Sequence, residues 1–376
     1  RISFGIDVGS NLLGGAAALR SVPILTVSQL LFDGGATRAR VQAARGGVVQ
    51  TALSREAVVG QLTLTAVEVW YELRHQQRLL RLATQNFEEH QDFVALLKDR
   101  LSAGAGTQSD LLTAQSRLAD AEARRSTVRN SLDRAQARYV EIFQDFGASE
   151  TEFVAAPDMP SGTDAVLISS SPRLRSLDVE IANAEALLRA TQATRWPSLS
   201  VGVSAQYDPD TEEATASAST GPSLDIFDGG RQSNTVAQAA ANLEELRAER
   251  QQLELEIARA LAFLRADAKS GQDRLRAARA AVEANKAAVI VIREQFTIGR
   301  IGLLQLLDSR RNLFEAEETL AGVERDIAMS GYAALTLTGD ILDPFGLLLP
   351  IPALNADPAQ MTQINKQPLS ALGDQE

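Results

Sequence analysis

Hydrophobic and polar residues alternate at the start of the chain. Ile2, Phe4, Ile6 and Val8 are separated by Ser3, Gly5 and Asp7. A period of two predicts a strand with one apolar face. A Gly- and Ala-rich loop is expected over Asn11–Ser21 and a less regular strand over Ile24–Leu31. The period changes at Asp33-Gly34-Gly35. The glycines permit a sharp change of direction, and the aspartate can cap a following helix. No proline falls between Ala36 and Ser102, where Val58, Leu62, Thr65, Val69, Leu73, Leu79 and Leu80 mark an apolar stripe of coiled-coil spacing. Such a helix spans about 100 Å, with Gly46-Gly47 and Gly60 as its weak points. Ala103–Thr107 is a turn, with Ser109 or Asp110 to cap a return helix that runs from about Asp110 to Phe146.

The pattern then repeats. A linker with Pro157, Pro160 and Gly162 leads to a helix from Pro172 to about Thr194, which Trp196-Pro197 ends. Leu199, Val201, Val203, Ala205 and Tyr207 alternate with Ser198, Ser200, Gly202, Ser204 and Gln206, the clearest strand in the chain. Residues 214–226 alternate again. A second long helix is expected from Arg231 to about Ile298, a turn at Gly299–Gly302, and a return to about Thr338.

Leu31-Phe32-Asp33-Gly34-Gly35 recurs 195 positions later as Ile226-Phe227-Asp228-Gly229-Gly230. The same offset relates Leu101-Ser102-Ala103-Gly104 to Phe296-Thr297-Ile298-Gly299, and Ala121-Glu122 to Ala316-Glu317. One offset over so long a stretch is a duplication. The expected organisation is a first repeat over residues 1–147, a linker over 148–171, a second repeat over 172–339 and a loosely ordered tail over 340–376. By the same offset Arg1 matches Trp196, so a helix is expected to precede Arg1, and no leader can be read from a chain that opens inside a strand pattern.

Composition narrows the function. There is no cysteine, hence no disulfide and no thiolate metal site. A net charge of −11 makes nucleic acid a poor partner. No run of eighteen apolar residues offers a transmembrane helix. There is no P-loop, nucleophile elbow or His-rich metal motif, so neither an enzyme nor a cofactor is expected. His75 and His90 are fifteen residues apart, which suits surface or packing roles.

Two strand pairs separated by long helices have no obvious use in a helical bundle. Strands of about ten residues, apolar outside and polar inside, are the unit of a transmembrane barrel. Four strands do not enclose a lumen, so several chains must contribute. A small sheet capping a soluble coiled coil is the other reading.

The duplicated Phe-Asp-Gly-Gly, Trp196-Pro197-Ser198-Leu199 before a strand, and Gln295-Phe296-Thr297-Ile298-Gly299 followed by Leu303-Leu304-Gln305-Leu306-Leu307-Asp308 resemble the TolC-like outer membrane efflux proteins. The resemblance implies a mainly helical fold with membrane β-structure. Long antiparallel coiled-coil helices form a periplasmic tunnel, and four strands per chain build a twelve-stranded outer-membrane barrel in a homotrimer. It implies outer membrane lipid, a periplasmic adaptor and an inner-membrane pump as partners. The stretch Ile298–Ser309 followed by Asn312-Leu313-Phe314 resembles the type I secretion branch, which exports polypeptides with an ABC transporter. The alternatives are an exit duct for drugs or other small molecules, and a soluble scaffold with no pore.

The same resemblance supplies candidate sites. Asp308 matches one of two aspartates that ring the periplasmic entrance of TolC; the other position is Gln305. Asp308 can equally be a solvated surface acid. Asp110 matches an acid that helps hold that entrance shut, but its partners' positions are Phe296 and Ile301, which cannot make those bonds. Arg300 is the substitute partner, and capping is the other role for Asp110. Gly104, Gly106, Gly299 and Gly302 are the turn glycines, which the resemblance places at the adaptor. Phe32, Asp33, Gly34, Phe227, Asp228 and Gly229 are the strand-to-helix junctions. Trp196 and Tyr207 fit aromatic girdles at the bilayer interfaces, and Trp196 also fits packing at the junction.

Overall fold

A computed structural model describes residues 2–10, 19–144, 156–208, 212–225, 227–347 and 349. Four strands, β1 (Ile2–Ser10), β2 (Leu19–Phe32), β3 (Ser198–Asp208) and β4 (Glu213–Ser223), form one antiparallel sheet in that order. The register sorts the residues. Phe4, Leu25, Ala205 and Ala216 share one row, and Ile2, Val27, Val203 and Ala218 another. Ser3, Thr26, Ser204 and Ser217 share a row on the opposite face. Because successive residues point to opposite faces, the period of two in β3 and β4 becomes one more apolar and one more polar sheet face, while β2 is less regular and puts Ile24 and Leu30 on the polar side. β2 starts earlier than the pattern predicts: Leu19, Arg20 and Ser21, read as loop, pair with Ser10, Gly9 and Val8. Backbone pairing does not need apolar side chains, so the strand outruns its hydrophobic signal.

The helices are α1 (Ala36–Ser102), α2 (Gln108–Phe143), α3 (Asp164–Ser170), α4 (Pro172–Ala193), α5 (Arg231–Thr297) and α6 (Leu303–Thr338). α1 and α5 each have 67 residues, α2 and α6 each 36. Both ends of each pair are related by the offset of 195. The duplication thus extends to helix boundaries.

Both long helices start by one device. Asp33 accepts from the backbone N–H of Gly35 at 3.1 Å and of Thr37 at 2.7 Å. Asp228 accepts from Gly230 at 3.0 Å and Gln232 at 2.7 Å. Gly34-Gly35 and Gly229-Gly230 all have positive φ, the region glycine enters without penalty. The Thr37 hydroxyl bond holds the Asp33 carboxyl below the usual carboxylate range.

The packed stripe of α1 differs from the predicted one. Val58 and Leu62 are 67% and 58% exposed. Val69, Leu73 and Leu79 of the predicted stripe are buried, but before them the buried positions are Ala36, Ala39, Ala43, Gly46, Val49 and Leu53, then Gly60, Leu64 and Val67. Their spacing alternates between three and four residues or spans a heptad, the mark of a coiled-coil seam. The seam is built from small residues, which a search for large apolar ones passes over. Gly46 is therefore a close-packing position and not a break. A Cβ there would fall 1.8 Å from Asn183 Oδ1 on α4.

The chain divides into two compact units. One draws on Arg1–Leu53 and Arg175–Gln252, the other on Ser54–Leu174 and Leu253–Pro350. Both draw on both repeats. In the second unit the expected linker holds α3, whose Leu167 is buried and whose Asp164 is ion-paired with Arg265. Pro157 lies so close over α6 that a Cβ on Gly331 would meet its carbonyl oxygen at 2.3 Å. The tail is also ordered further than predicted. After Gly339 a 3-10 turn forms at Asp343–Phe345, and Ile341 and Leu342 are buried with Leu64, Val67 and Tyr332. Burial of those two apolar residues, together with stacking of Phe345 on Tyr332, holds the segment. Most of the tail, like Ile226 and residues 145–155 before α3, lies outside the described residues.

Candidate functional site at the paired helix turns

The structure brings the two glycine turns together. Phe93, Leu97, Leu111, Ala114, Phe296, Leu303, Leu306 and Leu307 form one buried cluster drawn from α1, α2, α5 and α6. Four helix ends are thereby tied into one tip within the second unit. The turns are built alike. Gly104 and Gly299 have φ of 72° and 75°. Ala105 N–H donates to Arg100 O, and Arg300 N–H to Gln295 O, both at 2.9 Å. That is the long bond of a Schellman cap, which satisfies carbonyls left over at a helix C-terminus. Gly106 is needed for a second reason: a Cβ would sit 3.1 Å from the Leu101 nitrogen. Gly302 caps α6 with φ of −81° and open space around it, so neither sterics nor backbone demands glycine there.

The cap of α2 is Thr107, in place of the predicted Ser109 or Asp110. Its hydroxyl accepts from Asp110 N–H at 3.1 Å and donates to Asp110 Oδ2 at 2.7 Å. Asp110 thus belongs to the cap. Among the described residues no ion pair joins it to Arg300, which is exposed. Phe296 and Ile301 pack in or against the tip cluster, with the Arg100 guanidinium 4.9 Å over the Phe296 ring. Apolar packing stands where a polar latch would have needed a hydroxyl and a cation.

Gln305 and Asp308 lie one turn apart on the exposed side of α6, while Leu303, Leu306 and Leu307 point inward. Arg311 approaches Asp308 at 3.6 Å in a solvent-exposed pair, a contact worth little in stability. Leu112, Ile298 and Leu304 are exposed apolar residues of the same turns and first helical residues.

Of the surface and packing roles open to His90, the structure shows packing. His90 is 7% exposed, and its Nδ1 has no hydrogen-bond partner. Burial pushes its pKa below the ordinary 6.5, and the Arg117 and Arg310 cations add to that, against Asp120. Arg310 forms a 2.7 Å pair with Glu89, and both are largely buried. The available signal was spacing: His90 is seven residues after buried Ala83 and three before buried Phe93.

In the other unit, Phe32 and Phe227 are exposed at the strand-to-helix junctions, Phe227 by 92%, beside the capping Asp33 and Asp228 and the glycines Gly34 and Gly229. Trp196 and Tyr207 are exposed as well. A Cβ on Gly34 would touch Ala193 O and Trp196 Cβ at 3.0 and 3.1 Å, so this turn needs glycine for space too. Among the described residues no cluster of His, Asp or Glu is placed to hold a metal, and no helix is long and apolar enough to cross a membrane.

Strands that turn apolar residues to one face and polar residues to the other are the unit of an outer-membrane barrel. The sequence profile of the outer membrane efflux protein family matches residues 16–142 and 166–339, and the chain belongs to that family. The outer membrane efflux protein BepC of Brucella suis is 26% identical over 343 residues, covering 86% of this chain and 73% of that protein. Two solved structures share the fold. The open-state MtrE outer membrane channel of Neisseria gonorrhoeae has a TM-score of 0.79 at 17% identity, over 91% of this chain and 81% of that one. The CmeC outer membrane channel of Campylobacter jejuni has a TM-score of 0.78 at 16% identity, over 99% and 82%. The protein is an outer-membrane efflux channel, with β-strands in the membrane and a helical tunnel in the periplasm, and it is not an enzyme. The membership bears out the outer-membrane channel expected from the sequence and sets aside the alternative of a soluble, pore-free scaffold.

Proposed function

We propose that the protein is the passive exit duct of a type I secretion system, a homotrimer that exports polypeptides with a periplasmic adaptor and an inner-membrane ABC transporter. The observation that carries this reading is the α5–α6 tip, where the stretch Ile298–Ser309 has the pattern of that branch. Its apolar Leu303, Leu306 and Leu307 build the tip core, which leaves Gln305 and Asp308 on the exposed face. In a trimer, Asp308 would place three carboxylates at the entrance, which would attract cations. The adaptor would dock on the turns at Gly104, Gly106, Gly299 and Gly302, beside exposed Leu112, Ile298 and Leu304. No energy is coupled in this chain: the entrance opens when adaptor and transporter engage the tips. Without a polar latch at Phe296 and Ile301, the resting entrance is held by apolar packing and by the caps.

A second reading, export of small molecules, is favoured by the similarity to a protein named for efflux, BepC. Comparing proteins in the medium of cells with and without the gene separates the two. Loss of one or a few large proteins from the medium, with their build-up inside, supports secretion; an unchanged medium with new drug sensitivity supports the second reading. At the entrance, Gln305→Asp adds a second carboxylate ring and should strengthen divalent-cation block of conductance in a planar bilayer. Unchanged block would take residue 305 off the ion path.

A further inference from the structure

The polar face of the sheet carries hydroxyls and glycines and, over most of its length, no charge. Four rows follow one another along it: Gly5 with Ile24, Gln206 and Thr215; Ser3 with Thr26, Ser204 and Ser217; Ser28 with Gly202 and Ser219; Leu30 with Ser200 and Gly221. None holds an ionisable residue. Two contacts show the shared face for β3 and β4. Ser204 Oγ lies 2.8 Å from Ser217 Oγ, and a Cβ on Gly202 would meet Ser219 Oγ at 3.1 Å. On the other face Leu25, Val27 and Val203 are exposed in the single chain, which suits lipid. The face turns acidic two residues beyond the Gly5–Gln206 row, at Asp7 on β1 and at the Asp208–Glu213 pair of β3 and β4.

We propose that the middle stretch of the barrel lumen, lined by Thr26, Ser204 and Ser217, is indifferent to charge. The inference rests on the outer-membrane exit-duct reading and specifies its cargo: extended segments of either sign pass that stretch without being held. Charge selection is left to other parts of the path, Asp308 among them. Water-filled polar walls without fixed charge give a passing acidic or basic segment no deep electrostatic minimum. The Ser204 row is four residues from Asp208, roughly 14 Å along the strand. That exceeds the Debye length of about 8 Å at physiological salt, so acids near the turns do not reach it.

The chain has no cysteine, so single cysteines report cleanly. Ser204→Cys, Ser217→Cys and Val203→Cys trimers are placed in planar bilayers. Cationic or anionic methanethiosulfonate is then added from the side of the hairpin turns. Conductance of Ser204→Cys and Ser217→Cys should fall with both reagents, at rates within about threefold of each other, and Val203→Cys should be silent. A fixed charge in such a lumen changes local ion concentration by about tenfold or more. Adding Ser204→Lys to Ser217→Cys should therefore produce a tenfold preference for the anionic reagent. A tenfold preference without that lysine, no preference with it, or reaction of Val203→Cys in place of Ser204→Cys would each overturn the proposal. If Ser204→Cys does not assemble, Thr26→Cys occupies the same row on the neighbouring strand. A wild-type chain that forms no pore would sink the exit-duct reading itself. A conducting pore that labels charge-selectively would sink only the neutral stretch.

Discussion

The two return helices have the same length and the same place in the repeat, yet they are packed differently. α2 buries six residues, among them Ala114, Ala121, Val128 and Ala135 at strict heptad spacing. α6 buries eleven, including Tyr332 and Gly331. α6 is also laced to three neighbours by ion pairs: Arg310 with Glu89 and Arg325 with Glu72 on α1, Glu318 with Arg124 on α2, and Glu317 with Lys286 on α5. Duplication preserved the backbone plan, while substitution made α6 the more heavily packed of the two copies. The part that repeats is the geometry of turns and caps, which is set by local chemistry. Packing is set by neighbours, and the neighbours of α6 include α3, the Pro157 segment and the ordered part of the tail.

The largest test of this contrast is at Tyr332. It is fully buried against Tyr71 and Phe345, with its hydroxyl bonded to Tyr71 and burial pushing its pKa well up. Tyr332→Ala should cost about 3–5 kcal/mol and Gly331→Ala about 1–3 kcal/mol. At the α2 position that matches Gly331, exposed Gln136→Ala should stay within about 0.5 kcal/mol. Denaturant unfolding of the detergent-solubilised protein measures all three; equal costs in the two helices would erase the distinction.

A smaller effect is expected from pH, where groups of α2 and α6 face one side chain. Around His90 stand Glu89 on its own helix, Arg117, Asp120 and Arg124 from α2, and Asp308, Arg310, Arg311, Glu315 and Glu318 from α6. The folded pKa is lowered below 6.5. The unfolded chain therefore takes up a proton that the folded chain resists, and stability falls as pH drops below 6.5 towards the folded value. His75 is shifted in the same direction, chiefly by burial. Glu317, raised by burial, works oppositely near the carboxylate range. Melting temperature should fall between neutral and mildly acidic pH, and His90→Gln should flatten the slope. An unchanged slope would show that the buried imidazole is not what titrates.

The smallest effect is at the pair linking the two return helices. Arg124→Gln removes a half-exposed partner of Glu318 and should cost less than about 1 kcal/mol. A larger loss would mean that α2 is held more by charge than by its alanine seam.

Periodicity foretold the long helices because their signals are local: Asp33 and Asp228 cap the starts, Gly104 and Gly299 close the ends. It missed what distant residues decide. α3 is too short to show a period, and its place comes from Leu167 burial and the Arg265 pair. Thr107 was passed over as a cap because an acid stood three residues on; the acid turned out to be its partner. Ile341 and Leu342 sit in a Pro- and Gly-containing tail, and only the Tyr332 cluster reveals why they are ordered. At the tip, burial of Phe296 was legible only as an absence of hydroxyl chemistry; its role as a core residue needed four helices to be brought together.

The order of strands in the sheet has a consequence for how the chain folds. β1–β2 and β3–β4 are hairpins that can close early, but the central seam pairs Thr26 with Ser204, 178 positions apart. Closing a loop of that length costs on the order of 4–5 kcal/mol in chain entropy before any strand bond forms. Antiparallel coiled-coil pairing of α1 with α2 inside that loop shortens the effective distance, so helical hairpins should form before the seam zips. Until then each strand hairpin has two open edges, and the chain in the periplasm is at its most vulnerable to pairing with the wrong partner.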